Sequence, residues 1–132
     1  MKSLSRMQRL SVMMVLTLLI QFLVGMANNF WLKLPDSGSA WKVAKPVWLV
    51  SLHMFVGTAL LVLAILIAYR ALKSKSSYWL KVSYVGIGGI IVAFGAGSAF
   101  MGNPKSNAAS FIMALGWAIS TGAYALALTE TK

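Results

Sequence analysis

Residues 47–69 read VWLVSLHMFVGTALLVLAILIAY, an apolar run that contains the only histidine of the chain, His53, and no charged residue. A helix rises ~1.5 Å per residue, so about 20 residues cross the ~30 Å hydrocarbon core of a bilayer. The run is therefore long enough to span a membrane. We predict one domain, residues 1–132, with four spans at about residues 11–32, 47–69, 78–101 and 108–128.

The composition agrees with this prediction. Hydrophobic residues make up 59% of the chain and charged residues only 11%, whereas a soluble domain is about 45–50% apolar and about 25% charged. So few charges cannot solvate a globular surface. The predicted fold class is all-α, an integral membrane four-helix bundle whose outer surface contacts the lipid bilayer.

The charge is strongly positive, because twelve Lys and Arg residues face only two acidic residues, Asp36 and Glu130. A net charge of +10 in a soluble protein would suggest nucleic acid. Here the basic residues flank apolar runs, where they meet anionic headgroups and set orientation, so we predict no nucleic-acid partner. The absence of cysteine excludes a disulfide framework and thiolate metal sites.

The distribution of basic residues predicts a multi-pass protein of the cell (inner) membrane with both termini cytoplasmic, following the positive-inside rule. Eight basic residues would then lie inside, against four outside: Lys2, Arg6, Arg9, Arg70, Lys73, Lys75, Lys81 and Lys132, against Lys33, Lys42, Lys45 and Lys105. The first run also resembles a signal peptide with a small-residue cleavage pattern at Gly25–Ala27. Because the apolar stretch continues to Leu32, we expect a retained helix.

Small and polar residues recur at helical spacing in every span, which predicts closely packed inward faces. These seams are Gln21, Gly25, Asn28 and Asn29; His53, Gly57, Ala64 and Ala68; Gly86, Gly89, Ala93 and Gly97; and Gly116, Ser120, Ala123 and Ala127. Residues 51–57 also align with 110–116, which suggests two parallel helical-hairpin repeats. In that alignment Ile112 stands at the position of His53, so no second histidine arises.

His53 is the principal candidate site residue. It lies six residues after Val47, ~9 Å below the outer boundary of the hydrocarbon core. An ionisable side chain at that depth is costly and suggests a function, and neutral imidazole can ligate haem iron. The alternative is a neutral histidine that hydrogen-bonds within the bundle, to Asn28 or Asn29. The candidate cofactor pocket consists of His53, Gly57, Asn28 and Asn29. The only metal ion that we expect His53 to bind there is haem iron.

Catalytic groups are scarce. No carboxylate lies inside any predicted span, so paired acid–base catalysis and proton-coupled exchange lack their usual group. No phosphate loop, activated nucleophile or metal-ligand cluster is visible. The sequence therefore leans against an enzyme, and an exporter is a weaker alternative.

The chain resembles one four-helix half of haem A synthase and the related small four-span membrane proteins of unassigned function. The resemblance rests on QFLVGMANNFW, residues 21–31, and LHMFVGTALLVLAILIAYRA, residues 52–71. It implies one histidine on the second helix and one on the fourth. In the catalytic half of haem A synthase, a glutamate also precedes the histidine of the second helix. Here only His53 corresponds, because Val50 and Ile112 occupy the other two positions. These departures argue against haem hydroxylation.

Two functions follow from these observations. In the first, the protein binds haem near its outer face through His53, either in one chain or between the paired histidines of a homodimer. In the second, it is a non-catalytic structural or accessory subunit of a larger membrane complex, without a cofactor. The glycine-rich third span would then dock on another membrane protein.

Overall fold

A computed structural model describes residues 5–34, 38–42, 45–104 and 106–129. Four α-helices account for most of them: α1 (Arg6–Trp31), α2 (Val47–Ser74), α3 (Ser77–Gly102) and α4 (Asn107–Leu126). Short 3-10 turns cover Ala40–Lys42 and Ala127–Thr129. All four helices are long and apolar enough to cross a membrane. The prediction of an all-α, four-helix membrane bundle is confirmed.

The first two helices extend beyond the apolar runs that predicted them. α1 begins at Arg6 because Ser5 and Gln8 form a capping box, in which each side chain bonds the other's backbone N–H. α2 continues past Tyr69 to Ser74 and stops where Lys75 adopts a left-handed φ of 53°. Hydropathy marks the lipid-immersed part of a helix, whereas capping residues mark its ends.

The helices pack as a ring in chain order. The contacts of α3 with α4 are the most extensive, followed by those of α1 with α2 and α2 with α3, and α1 with α4 closes the ring. Large apolar side chains cover the outside; Phe30 and Phe55 are 73% and 72% exposed. Such exposure suits lipid, which solvates apolar groups as well as a protein core does.

Glycines bring α3 and α4 into close contact. A Cβ atom added at Gly89 would lie 2.6 Å from the carbonyl oxygen of Gly116, a separation that only a missing side chain permits. The Ser120 hydroxyl donates to the carbonyl oxygen of Gly86 at 2.8 Å. Gly86 also accommodates the fully buried Tyr124 ring. The small-residue seam predicted for these two helices is therefore the contact surface between them.

The two ends of the bundle differ in charge. The terminal end is the one where α1 begins at Arg6 and α2 ends at Ser74, and the histidine end is the one where α1 ends at Trp31 and α2 begins at Val47. Among the side chains that the structure describes, six cationic ones are exposed at the terminal end, Arg6, Arg9, Arg70, Lys73, Lys75 and Lys81, against Lys33 and Lys45 at the histidine end. The placement of the terminal end in the cytoplasm stays a prediction.

Candidate functional site

Two glycines set the contact around His53. A Cβ at Gly25 of α1 would lie 3.4 Å from His53 Cε1, and a Cβ at Gly57 of α2 would lie 3.3 Å from Gln21 Nε2. Each glycine thus faces the polar side chain of the opposite helix. The absent Cβ atoms allow the imidazole of His53 and the amide of Gln21 to lie across each other between α1 and α2.

A hydrogen bond joins this pair, because the Nε2 atoms of Gln21 and His53 are 3.1 Å apart. With the amide as donor, His53 Nε2 accepts and the imidazole proton lies on Nδ1. The bond links residues 32 positions apart. Between two helices in lipid, such a bond contributes about 0.6 kcal/mol on average and ~1.7 kcal/mol at most.

The site also holds polar atoms without a partner. His53 Nδ1, Gln21 Oε1 and Asn28 Oδ1 are buried and make no hydrogen bond within the part of the chain that the structure describes. Gln21, Gly25 and Asn28 follow at steps of four and three residues, so they share one face of α1. The α1–α2 interface is therefore polar over two helical turns near the histidine end.

The expected hydrogen-bond partner of His53 was wrong. Asn28 or Asn29 was predicted, but the partner is Gln21. Gly25 lies opposite His53, so Asn28 lies about one turn nearer the histidine end, and Asn29 is exposed on another face. Asn29 therefore does not line this site. Gly57 does, through its contact with the Gln21 amide.

A haem does not fit this arrangement of His53. The nitrogen that usually ligates iron, Nε2, is engaged by Gln21, and Nδ1 is buried. The imidazole lies between two packed helices, and even a single methyl group at Gly25 would lie 3.4 Å from its Cε1. A porphyrin at this position requires the Gln21 side chain to leave His53 and the helices to separate.

The position expected for a second histidine faces elsewhere. Ile112 is 44% exposed, and its neighbour Met113 faces α3, where a Cβ at Gly97 would lie 3.3 Å from the Met113 sulfur. The side chain that faces a glycine of the preceding helix is thus His53 in the first hairpin and Met113 in the second, one residue after the aligned position Ile112.

Other ligand-type side chains do not gather near His53. Among the described residues there is no group of three or more His, Cys, Asp or Glu side chains that could hold a metal ion. Asp36 and Glu130, the two carboxylates of the chain, lie outside these residues. The described site therefore consists of one imidazole, two amides and two glycines, which suits hydrogen bonding between helices.

No protein-family model, curated protein or solved structure matches the chain.

Gln21 was predicted to lie on the inward face of the first span, where it could line a polar pocket with Asn28 and Asn29, but it was not among the candidate cofactor-binding residues. The signal was present in the spacing. Gln21 precedes Gly25 by four residues, and His53 precedes Gly57 by four. In an antiparallel pair, two such steps place each polar residue against the opposing glycine.

Proposed function

We propose that this chain is a non-catalytic membrane subunit that binds another transmembrane helix through the outer face of α3. By the outer face we mean Gly88, Val92, Gly95 and Ala99. These residues lie at steps of four, three and four, hence on one side of the helix. The observation that carries the proposal is that Gly88 and Gly95 face open space, because no atom of the described residues lies within 4 Å of an added Cβ.

The opposite face of the same helix indicates what glycine does here. Gly86 and Gly89 admit the side chain and backbone of α4 at distances that no other residue allows. Glycine in a helix otherwise costs about 0.5–1 kcal/mol relative to alanine. Small residues let helix backbones approach in a bilayer, where packing drives association. A second glycine face, which no other described part of the chain covers, therefore favours a partner helix from another chain or a second copy.

The site around His53 supports the same proposal. Its imidazole is engaged in a bond between helices, and the neighbouring amides do not provide a nucleophile or a general base. In this role His53 and Gln21 fix the register of α1 against α2. The protein would thus act by association within the membrane.

A photo-crosslinking residue at Val92 tests the proposal in intact membranes. Val62 of α2 supplies the matched control, because both valines are lipid-exposed, at 46% and 53%, near the middle of their helices. We expect a discrete protein adduct from Val92, lost in the variant Gly95→Leu, and none from Val62. The mass of the adduct distinguishes a second copy from a different subunit. Equal adducts from both positions, or none from Val92, would overturn the proposal.

Haem binding through His53 is the competing proposal, and the resemblance to haem A synthase is its main support. It would require the Gln21 side chain to leave Nε2, because Nδ1 carries the proton when the Gln21 amide is the donor. The test is the absorption spectrum of protein expressed with ample haem. A Soret band that His53→Ala abolishes and Asn29→Ala leaves unchanged would replace the accessory-subunit proposal. Without such a band, haem binding is rejected.

A further inference from the structure

The connection between α1 and α2 brings two lysines directly opposite each other. Lys33 and Lys45 form an antiparallel bridge, in which Lys33 N–H donates to the Lys45 carbonyl oxygen at 2.8 Å. The return bond, from Lys45 N–H to the Lys33 carbonyl oxygen, is 3.5 Å long. Two residues that exchange both bonds are a directly opposed pair, with Cβ atoms ~5.5 Å apart on the same side.

Opposed like charges destabilise such a pair. Both lysine side chains are exposed, and neither forms an ion pair within the described part of the chain. The two lysine side chains therefore leave the same side of a short backbone bridge, and both carry a positive charge. An anion between them would remove the repulsion.

These lysines border an open depression of about 450 Å³ that is otherwise lined by Trp31, Pro46 and Val47. Trp31 is the last residue of α1 and Val47 is the first of α2, so the depression lies where the spans meet water. Tryptophan is enriched at this level of a membrane. The depression thus has two lysine side chains at its border and a mainly apolar lining.

We propose that this depression binds the phosphate group of an anionic glycerophospholipid. The ammonium groups of Lys33 and Lys45 would hold the phosphodiester, while the Trp31 ring and Val47 contact the glycerol and the upper acyl chain. The apolar lining favours a lipid over a free phosphate ion. This binding is independent of the partner proposed for α3, because the two surfaces lie on different elements.

Quenching of Trp31 fluorescence tests the assignment in nanodiscs. The probe is brominated phosphatidylglycerol, compared with brominated phosphatidylcholine at the same mole fraction, and the Trp31→Phe variant isolates the Trp31 signal. We expect stronger quenching by the anionic lipid. A lysine near an anionic surface contributes about fivefold in binding, so Lys33→Gln/Lys45→Gln should lower the preference by about 25-fold.

The matched control is Lys75→Gln/Lys81→Gln, which removes the same charge from the terminal end and should leave the preference unchanged. Circular dichroism establishes that both double variants keep their helices. A preference that persists without Lys33 and Lys45, or falls equally in the control, would overturn the proposal. Inorganic phosphate at constant ionic strength should not displace the lipid. Displacement, with binding of phosphate in neutral nanodiscs, would identify a free-phosphate site and reject the lipid.

Discussion

The indole N–H of Trp117 donates to the main-chain carbonyl oxygen of Leu18 at 2.9 Å, and this bond joins α4 to α1 across 99 residues of chain. The same indole stacks on Phe22 with ring centroids 4.9 Å apart. One side chain therefore closes the ring of helices by both a polar and an aromatic contact. This relationship was not foreseen from the sequence, because nothing in the spacing of one helix reveals its partner on another.

We expect Trp117→Phe to lower the free energy of unfolding by about 0.5–1.5 kcal/mol, because it removes the hydrogen bond but keeps an aromatic ring. Reversible unfolding in mixed detergent micelles measures this change. Trp48→Phe is the control, since Trp48 is 66% exposed. Equal stability of the Trp117→Phe and Trp48→Phe variants would contradict the closing role of Trp117.

Gly89→Ala should destabilise the bundle by about 1–3 kcal/mol, since an extra methyl group must displace packed backbone. Its Cβ would meet the carbonyl oxygen of Gly116 at 2.6 Å. Gly122→Ala, on the open side of α4, has no atom within 4 Å of the new Cβ. That variant should match or exceed the wild type in stability. The same unfolding measurement compares both variants. If Gly89→Ala leaves the free energy of unfolding unchanged, the close packing of α3 against α4 at Gly89 is contradicted.

A double-mutant cycle measures the bond between Gln21 and His53. We expect a coupling free energy of about 0.6–1.7 kcal/mol between Gln21→Ala and His53→Ala. The cycle of Asn28→Ala with His53→Ala should give a coupling close to zero, because Asn28 makes no hydrogen bond to His53. If Asn28 couples as strongly as Gln21 does, the assigned partner is wrong.

The orientation predicted from basic residues can be tested by cysteine labelling, because the chain contains no cysteine of its own. Ser77→Cys reports on the terminal end and Asn103→Cys on the histidine end. With both termini cytoplasmic, a membrane-impermeant maleimide added to intact cells labels only the Asn103→Cys variant. Labelling of Ser77→Cys alone would reverse the assigned orientation, and lysed cells should label both.

The fold class was predictable because a bilayer allows few solutions: four long apolar runs must become four helices. The helix ends were less predictable, since Ser5 and Lys75 act through capping and backbone conformation outside the apolar runs. The glycine seam of α3 with α4 was also predictable, because residues spaced at four and three share a face. Hydropathy carries no information about the residues at which the helices begin and end.

The site was predicted only in part. His53 and Gly57 were placed on the inward face of α2, where they lie. The partner was missed because the periodicity of one helix fixes only its face, whereas the register of α1 against α2 follows only when the four-residue spacings of both helices are matched. That approach is set by Gly25 opposite the imidazole. With Gly25 opposite His53, Asn28 lies about one turn too far along α1 to bond the imidazole, and the Gln21 amide lies within hydrogen-bond distance of it.

The short connection at Lys75 and Ser76 separates two hairpins, each of which has its own internal contacts. The first is joined by the pair of Gln21 and His53, and the second by its glycine seam. A polypeptide severed at this connection is expected to yield two helical hairpins that insert separately and then associate. Their association would have to rebuild the core that both hairpins share, which contains Met14, Leu60, Ile90 and Tyr124.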